Sequence, residues 1–111
     1  AQVDEQLRLR FNNVIYNPRD KAYKIEIMNM IPDWIIITED GCYLTEYYGM
    51  YTEGDVSSSH RLQRYQEKTA IKLDKYKSLE NNGYKHLAIF PNDIRNNFEG
   101  LHKKIDKINN K

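Results

Sequence analysis

Asp33 and Glu46 stand on either side of Asp40-Gly41, and that spacing can make them a pair. Asp-Gly is a strong signal for a tight hairpin turn, because such a turn needs positive φ. With a two-residue turn at Asp40-Gly41, Glu39 pairs with Cys42, Ile35 falls opposite Glu46, and Asp33 falls opposite Tyr48. Residues directly opposite share a face, as do alternate residues along a strand. Asp33, Ile35, Glu46 and Tyr48 then lie on one face, with Asp33 and Glu46 diagonal neighbours at Cα separations of roughly 7–8 Å. Two carboxylates converging from there can hold one divalent cation. Hard cations such as Mg²⁺ take oxygen ligands, usually one or two carboxylates plus water and substrate phosphate. The alternative is a pair of solvent-facing acids near a hairpin end. Both residues sit inside apolar strands, however, where neighbouring like charges raise the cost of folding without a cation. A shift of one residue in the turn is expected to put them on opposite faces.

A lysine complements this pair. Leu62, Tyr65, Thr69, Lys72, Tyr76 and Leu79 recur at spacings of three and four residues, which is one helix face. Lys72 sits mid-stripe between aromatics, and Lys68 lies one turn earlier. A buried ammonium is costly unless an anion meets it. The alternative is snorkelling, with the stem packed and the head in water.

The elements that must position these groups can be read along the chain. Residues 3–11 predict a short helix carrying Val3, Leu7 and Phe11. Residues 17–20 (Asn-Pro-Arg-Asp) form a turn, and alternation predicts a strand at 23–28. Strands follow at 33–38, which Pro32 can open, and at 42–48, ended by Gly49. Residues 52–59 read as a polar loop leading to a helix N-cap. The long helix spans about 59–80, stopped by Asn81-Asn82-Gly83. A short apolar strand occupies 85–90, closed by Pro91. Asn92 or Asp93 caps a last helix whose Ile94, Phe98, Leu101, Ile105 and Ile108 form a core stripe. The result is a small α/β sandwich: an antiparallel three-strand meander, and a fourth strand able to pair in parallel after a helical crossover.

The chain has 111 residues, a length that favours a single domain over 1–111. Nine Tyr, three Phe and one Trp, with many Ile and Leu, exclude a disordered tail. A lone Cys42 excludes a disulfide scaffold and reads as a small core residue. No apolar run approaches the ~20 residues of a spanning helix. With no visible signal peptide and one cysteine, a cytoplasmic setting is expected. The initial Ala suggests a removed initiator Met or a domain cut from a longer chain. The net charge of +1 conceals an asymmetry. Residues 1–59 carry five basic and ten acidic side chains, a net of −5, and residues 60–111 carry twelve and six, a net of +6. Such a split marks either a solvated helical half or a polyanion-facing surface beside an acidic site.

Ile31-Pro32-Asp33, then Glu46-Tyr47-Tyr48-Gly49 after a turn, then a helix bearing Lys72 and Tyr76, together resemble the PD-(D/E)xK nuclease superfamily. The likeness covers roughly residues 3–91 and is strongest to small bacterial and phage nuclease domains. It implies a restriction-endonuclease-like αβββαβ core, with a mixed four-stranded sheet flanked by helices and an extra C-terminal helix. It implies a DNA endonuclease dependent on Mg²⁺ or Mn²⁺, with Asp33, Glu46 and the Tyr47 backbone carbonyl as metal ligands. Glu5 of the first helix is a further candidate. The family lysine two residues after the glutamate is replaced here by Tyr48, so Lys68 or Lys72 takes over its catalytic role. Arg61, Arg64, His60 and Lys75 are candidate DNA contacts. Tyr47, Tyr48 and Tyr51 are either base-stacking platforms or core, and His86 and His102 are expected to pack or face solvent. Two alternatives stand beside this reading. One is a catalytically inert DNA-binding or protein-interaction module of the same fold. The other is a Holliday-junction-resolvase-like nuclease acting as a homodimer. A partner or fused domain is a further source of specificity.

Overall fold

The computed structural model describes residues 2–16, 31–50 and 59–109. The turn expected at 17–20, the strand expected at 23–28, the loop at 52–58 and Tyr51 lie outside the described residues. The described elements are α1 (Gln2–Arg10), β1 (Asn13–Tyr16), β2 (Trp34–Thr38), β3 (Gly41–Tyr47), α2 (His60–Leu79), β4 (Tyr84–Ile89) and α3 (Pro91–Asn109). The strands form one mixed sheet in the order β1-β2-β3-β4. β1–β2 and β2–β3 are antiparallel. β4 is parallel to β3, as a crossover through α2 allows.

The expected order of elements is present, but β1 is a segment that the alternation did not single out. Asn13–Tyr16 is only four residues long with both ends exposed, so its apolar signal rests on Val14 and Ile15 alone.

The hairpin turn also differs from expectation. Its central residues are Glu39-Asp40, and Thr38 pairs with Gly41. Gly41 takes the positive φ, 139°, as the first residue of β3. The Thr38 hydroxyl accepts the Asp40 N–H at 3.1 Å and donates to the Gly41 carbonyl at 3.3 Å, which secures the turn one residue early. The turn therefore shifts by one residue, yet Asp33 and Glu46 keep a common face. Sliding a two-residue turn moves the pairing by two positions, and strand faces repeat every two.

Two layers cover the sheet. Leu7 and Phe11 from the α1 side, and Leu101, Ile105 and Ile108 of α3, close over Trp34, Ile36, Tyr43, Leu87 and Ile89. Each such large apolar side chain contributes on the order of 2 kcal/mol by leaving water. On the opposite face the buried cluster is smaller, Tyr76 and Leu79 of α2 against Ile35 and Leu44, with Cys42 partly buried beside it.

Ser59 caps α2, its Oγ accepting the Leu62 N–H at 3.3 Å. Gly83, at φ 87°, ends the short turn after α2 in a conformation that favours glycine. The start of α3 corrects the expected cap. Asp93 lies within the first turn and reaches back, its Oδ2 accepting the Phe90 N–H at 2.8 Å. The helix also breaks at Arg95–Phe98, where Asn96, Asn97 and Phe98 adopt left-handed backbone conformations. Ile94 and Phe98 are accordingly only partly buried, while the three apolar residues beyond the break are buried.

Candidate functional site

Extending the β2–β3 register by one pair beyond Trp34–Thr45 places Asp33 directly opposite Glu46, closer than the diagonal expected from the sequence. Asp33 is fixed by backbone: its Oδ2 accepts the Tyr47 N–H at 2.9 Å. Glu46 is only 5% exposed despite its charge. Tyr76 Oη donates to Glu46 Oε1 at 3.2 Å, and Lys72 Nζ lies 3.4 Å from Glu46 Oε2. Burial raises the Glu46 pKa and the Asp33 charge raises it further, while Lys72 and the Tyr76 hydroxyl pull it partly back. Ionised Glu46 is thus held at a cost that a cation would lower.

α2 delivers both donors because Lys72 and Tyr76 are four residues apart, one turn on the same face. Tyr76 is buried, whereas the Lys72 side chain is 48% exposed. The Lys72 head therefore meets an anion, the first of the two expectations, while about half of the side chain stays exposed to water.

Behind the glutamate lies an aromatic frame. The His86 ring stacks on Tyr76 with centroids 3.9 Å apart and planes 8° from parallel. His86 Nδ1 contacts the Leu44 carbonyl, and its Nε2 is 3.0 Å from Tyr48 Oη. A carbonyl only accepts, so Nδ1 carries the proton, and the Tyr48 hydroxyl donates to Nε2. Burial is the main reason the His86 pKa falls to about 4, with the Lys104 charge adding to it against the Leu44 contact. Burial and the Glu46 charge push both tyrosine hydroxyls well above their ordinary range. His86 thus supports the site through Tyr48 and Tyr76, a role that the sequence did not signal. The parallel pairing of Glu46 with Ala88 is what brings β4 alongside.

Other expected residues fall elsewhere. Lys68 makes no ion pair with either carboxylate. It lines a shallow depression with Met50, Arg61, Arg64 and Tyr65. Glu5 is exposed on α1, which covers the opposite face of the sheet, so the structure does not bring it to the pair. Tyr48 is 2% exposed and Tyr47 packs toward the larger core, so neither offers a face to a base. His60, Arg61, Arg64 and Lys75 are exposed on α2. At about 100° per residue, Arg61, Arg64, Lys68, Lys72 and Lys75 share an arc of roughly 80° beside the buried stripe. Glu67 and Asp74 fall outside that arc. His102 is remote, its Nε2 2.9 Å from Gln6 Oε1.

The donor set suits a hard cation. Among the described residues no group of three or more His, Cys, Asp or Glu side chains converges, so the pair itself is the whole carboxylate set. Two facing carboxylates, one of them buried with a raised pKa, fit Mg²⁺ or Mn²⁺, which need only one or two when phosphate and water complete the shell. The N–H and C=O of one strand residue point the same way. The Tyr47 carbonyl therefore faces the Asp33 side, as its N–H does. A concavity of about 740 Å³ lies instead along β4 and α3. The carboxylate pair lies outside its lining.

Comparison with protein-family models, curated proteins and solved structures finds no match to the chain. The chain is a mixed α/β domain with a four-stranded sheet flanked by helices among its described residues. No helix there is long and apolar enough to cross a membrane.

Proposed function

We propose that this protein is a metal-dependent DNA endonuclease of the PD-(D/E)xK type, built on a restriction-endonuclease-like core. The observation that carries the reading is the meeting of Lys72 with Glu46 at 3.4 Å, on the strand face that Asp33 shares. Two acids and a displaced lysine then occupy one spot, on an αβββαβ order of elements.

Asp33, Glu46 and the Tyr47 carbonyl would hold Mg²⁺ or Mn²⁺, which supplies an acidified water and polarises the scissile phosphate. The chain does the rest. The Tyr47 N–H and Tyr76 hydroxyl fix the two carboxylates, so little reorganisation accompanies substrate binding. Lys72 sets positive charge beside the pair, where charge grows on the phosphate oxygens. Arg61, Arg64, Lys68 and Lys75 extend that charge along one edge of α2 and draw the phosphate backbone toward it.

The test is cleavage of supercoiled plasmid and single-stranded DNA with Mg²⁺ or Mn²⁺, by wild type and by Asp33→Ala, Glu46→Ala and Lys72→Ala. Cleavage by wild type and loss in each variant is expected. Unchanged activity in the carboxylate variants would sink the assignment. A second reading, an inert DNA-binding module of the same fold, is favoured by buried Tyr48 at the strand lysine's position. It predicts salt-sensitive DNA binding without cleavage.

A further inference from the structure

We infer that the open edge of β4 is a docking site for an extended acidic segment of a partner protein. β4 ends the sheet, and no described strand pairs with its outer edge. The Tyr48 N–H donates to the Ile89 carbonyl at 2.8 Å, so Ile89 turns its backbone toward β3. By strand alternation Leu87 and Lys85 do the same, leaving the backbone groups of Tyr84, His86 and Ala88 facing outward. The Ala88 carbonyl is taken by Lys104 Nζ at 2.7 Å, as that direction requires.

The 740 Å³ concavity follows this edge, lined by residues 83–88 and by Lys104, Lys107 and Ile108 of α3. Its charge is one-sided, with three lysines against Glu80 alone. Lys104 is paired with Asp93, but Lys85 and Lys107 have no ion-pair partner among the described residues. Tyr43 in the same lining is 3% exposed, and its buried hydroxyl has no hydrogen-bond partner among the described residues. An incoming acceptor would give that hydroxyl a partner.

These features select the occupant. Alternating N–H and C=O groups match a peptide backbone, and added strands pair with sheet edges in this way. The lysines call for carboxylates at its side-chain positions. A second copy of this chain would set lysine against lysine, the arrangement that keeps edges apart. Neither the acid pair nor a metal enters this inference, so its failure and that of the nuclease reading are separable.

The test uses a panel of synthetic peptides of about eight residues, the length of a long strand, alternating Glu with Val, Ile or Thr, each beside a Lys-for-Glu counterpart. Binding is read by fluorescence polarisation and amide hydrogen exchange. Acidic peptides should bind and slow exchange at Tyr84, His86 and Ala88, while their counterparts do not. Lys85→Glu with Lys107→Glu should weaken binding by roughly tenfold or more, with circular dichroism reporting the fold, and Ala88→Pro should abolish it. Four outcomes would each overturn the proposal. These are no binding by any acidic peptide, equal binding of both charge types, edge protection that grows with protein concentration alone, and displacement by an oligonucleotide without amide protection.

Discussion

The Tyr76 hydroxyl donates to Glu46 Oε1 at 3.2 Å, joining a helix on one layer to a carboxylate buried in the sheet beneath it. The bond lowers the cost of an ionised Glu46 that burial and Asp33 both raise. Tyr76→Phe keeps the ring stacked on His86 and deletes only the donor. It should cost about 1–2 kcal/mol in urea unfolding and move the Glu46 pKa further up. An NMR titration of the Glu46 side chain showing no change would refute the coupling.

Lys72 and Lys68 separate by position. Lys72→Met keeps the stem and removes the charge beside Glu46. Under the proposed function it should lower the cleavage rate by roughly a hundredfold or more. Lys68→Met should act mainly on DNA affinity, because Lys68 lies in the depression with Arg61 and Arg64. Single-turnover kinetics at saturating DNA distinguish the two, and equal effects would contradict the assignment.

The pH dependence of stability has two opposed limbs. His86 titrates near 4 when folded against 6.5 as a free side chain. The unfolded chain therefore binds more protons between these values, and stability falls as pH drops through that window. The loss is at most about 3–4 kcal/mol by linkage. His86→Gln should flatten that limb in urea midpoints measured between pH 7.5 and 4.

Glu46 works in the other direction. Its folded pKa is raised, so stability present at low pH is lost as pH rises through that value. Glu46→Gln should make the cation-free protein more stable at neutral pH, on the order of 1 kcal/mol. The same change should abolish any rise in Tm with added Mg²⁺. A Tm that still rises with Mg²⁺ in this variant would place the cation elsewhere.

The basic edge of α2 predicts a salt signature. Each of Arg61→Ala, Arg64→Ala and Lys75→Ala should weaken DNA binding across sequences and reduce the salt slope by about one. An unchanged slope would mean that the residue meets no phosphate.

The acid pair was legible from strand parity alone, which survived an error in the turn. Asp40-Gly41 identified a hairpin, but which pair of residues turned depended on the Thr38 hydroxyl, a local bond that competes with dipeptide preference. Lys72 was legible because a cation on an apolar stripe is an anomaly. Glu5 was not, since the pattern of α1 shows which side it buries and not which face of the sheet receives it. His86 stayed hidden because strand alternation places it without revealing that a stacked tyrosine lies above. The break in α3 preserves the apolar spacing, so periodicity reads straight through it.

The smaller apolar cluster beneath α2 has a consequence for cooperativity. Among the described residues, Tyr76 and Leu79 of α2 join it, with Ile35 and Leu44 below, and the polar contacts of Tyr76 and Lys72 complete the seam. The helix that carries Lys72 and Tyr76 thus rests on a smaller apolar cluster of described residues than α3 does. Native-state hydrogen exchange should show α2 opening before α3. Such a seam would make the site its own fastener: under the proposed function, a cation that fixes Glu46 and Asp33 would also hold down the helix that grips Glu46 through Tyr76. Amides of α2 should then exchange more slowly when Mg²⁺ is added, while those of α3 keep their rates.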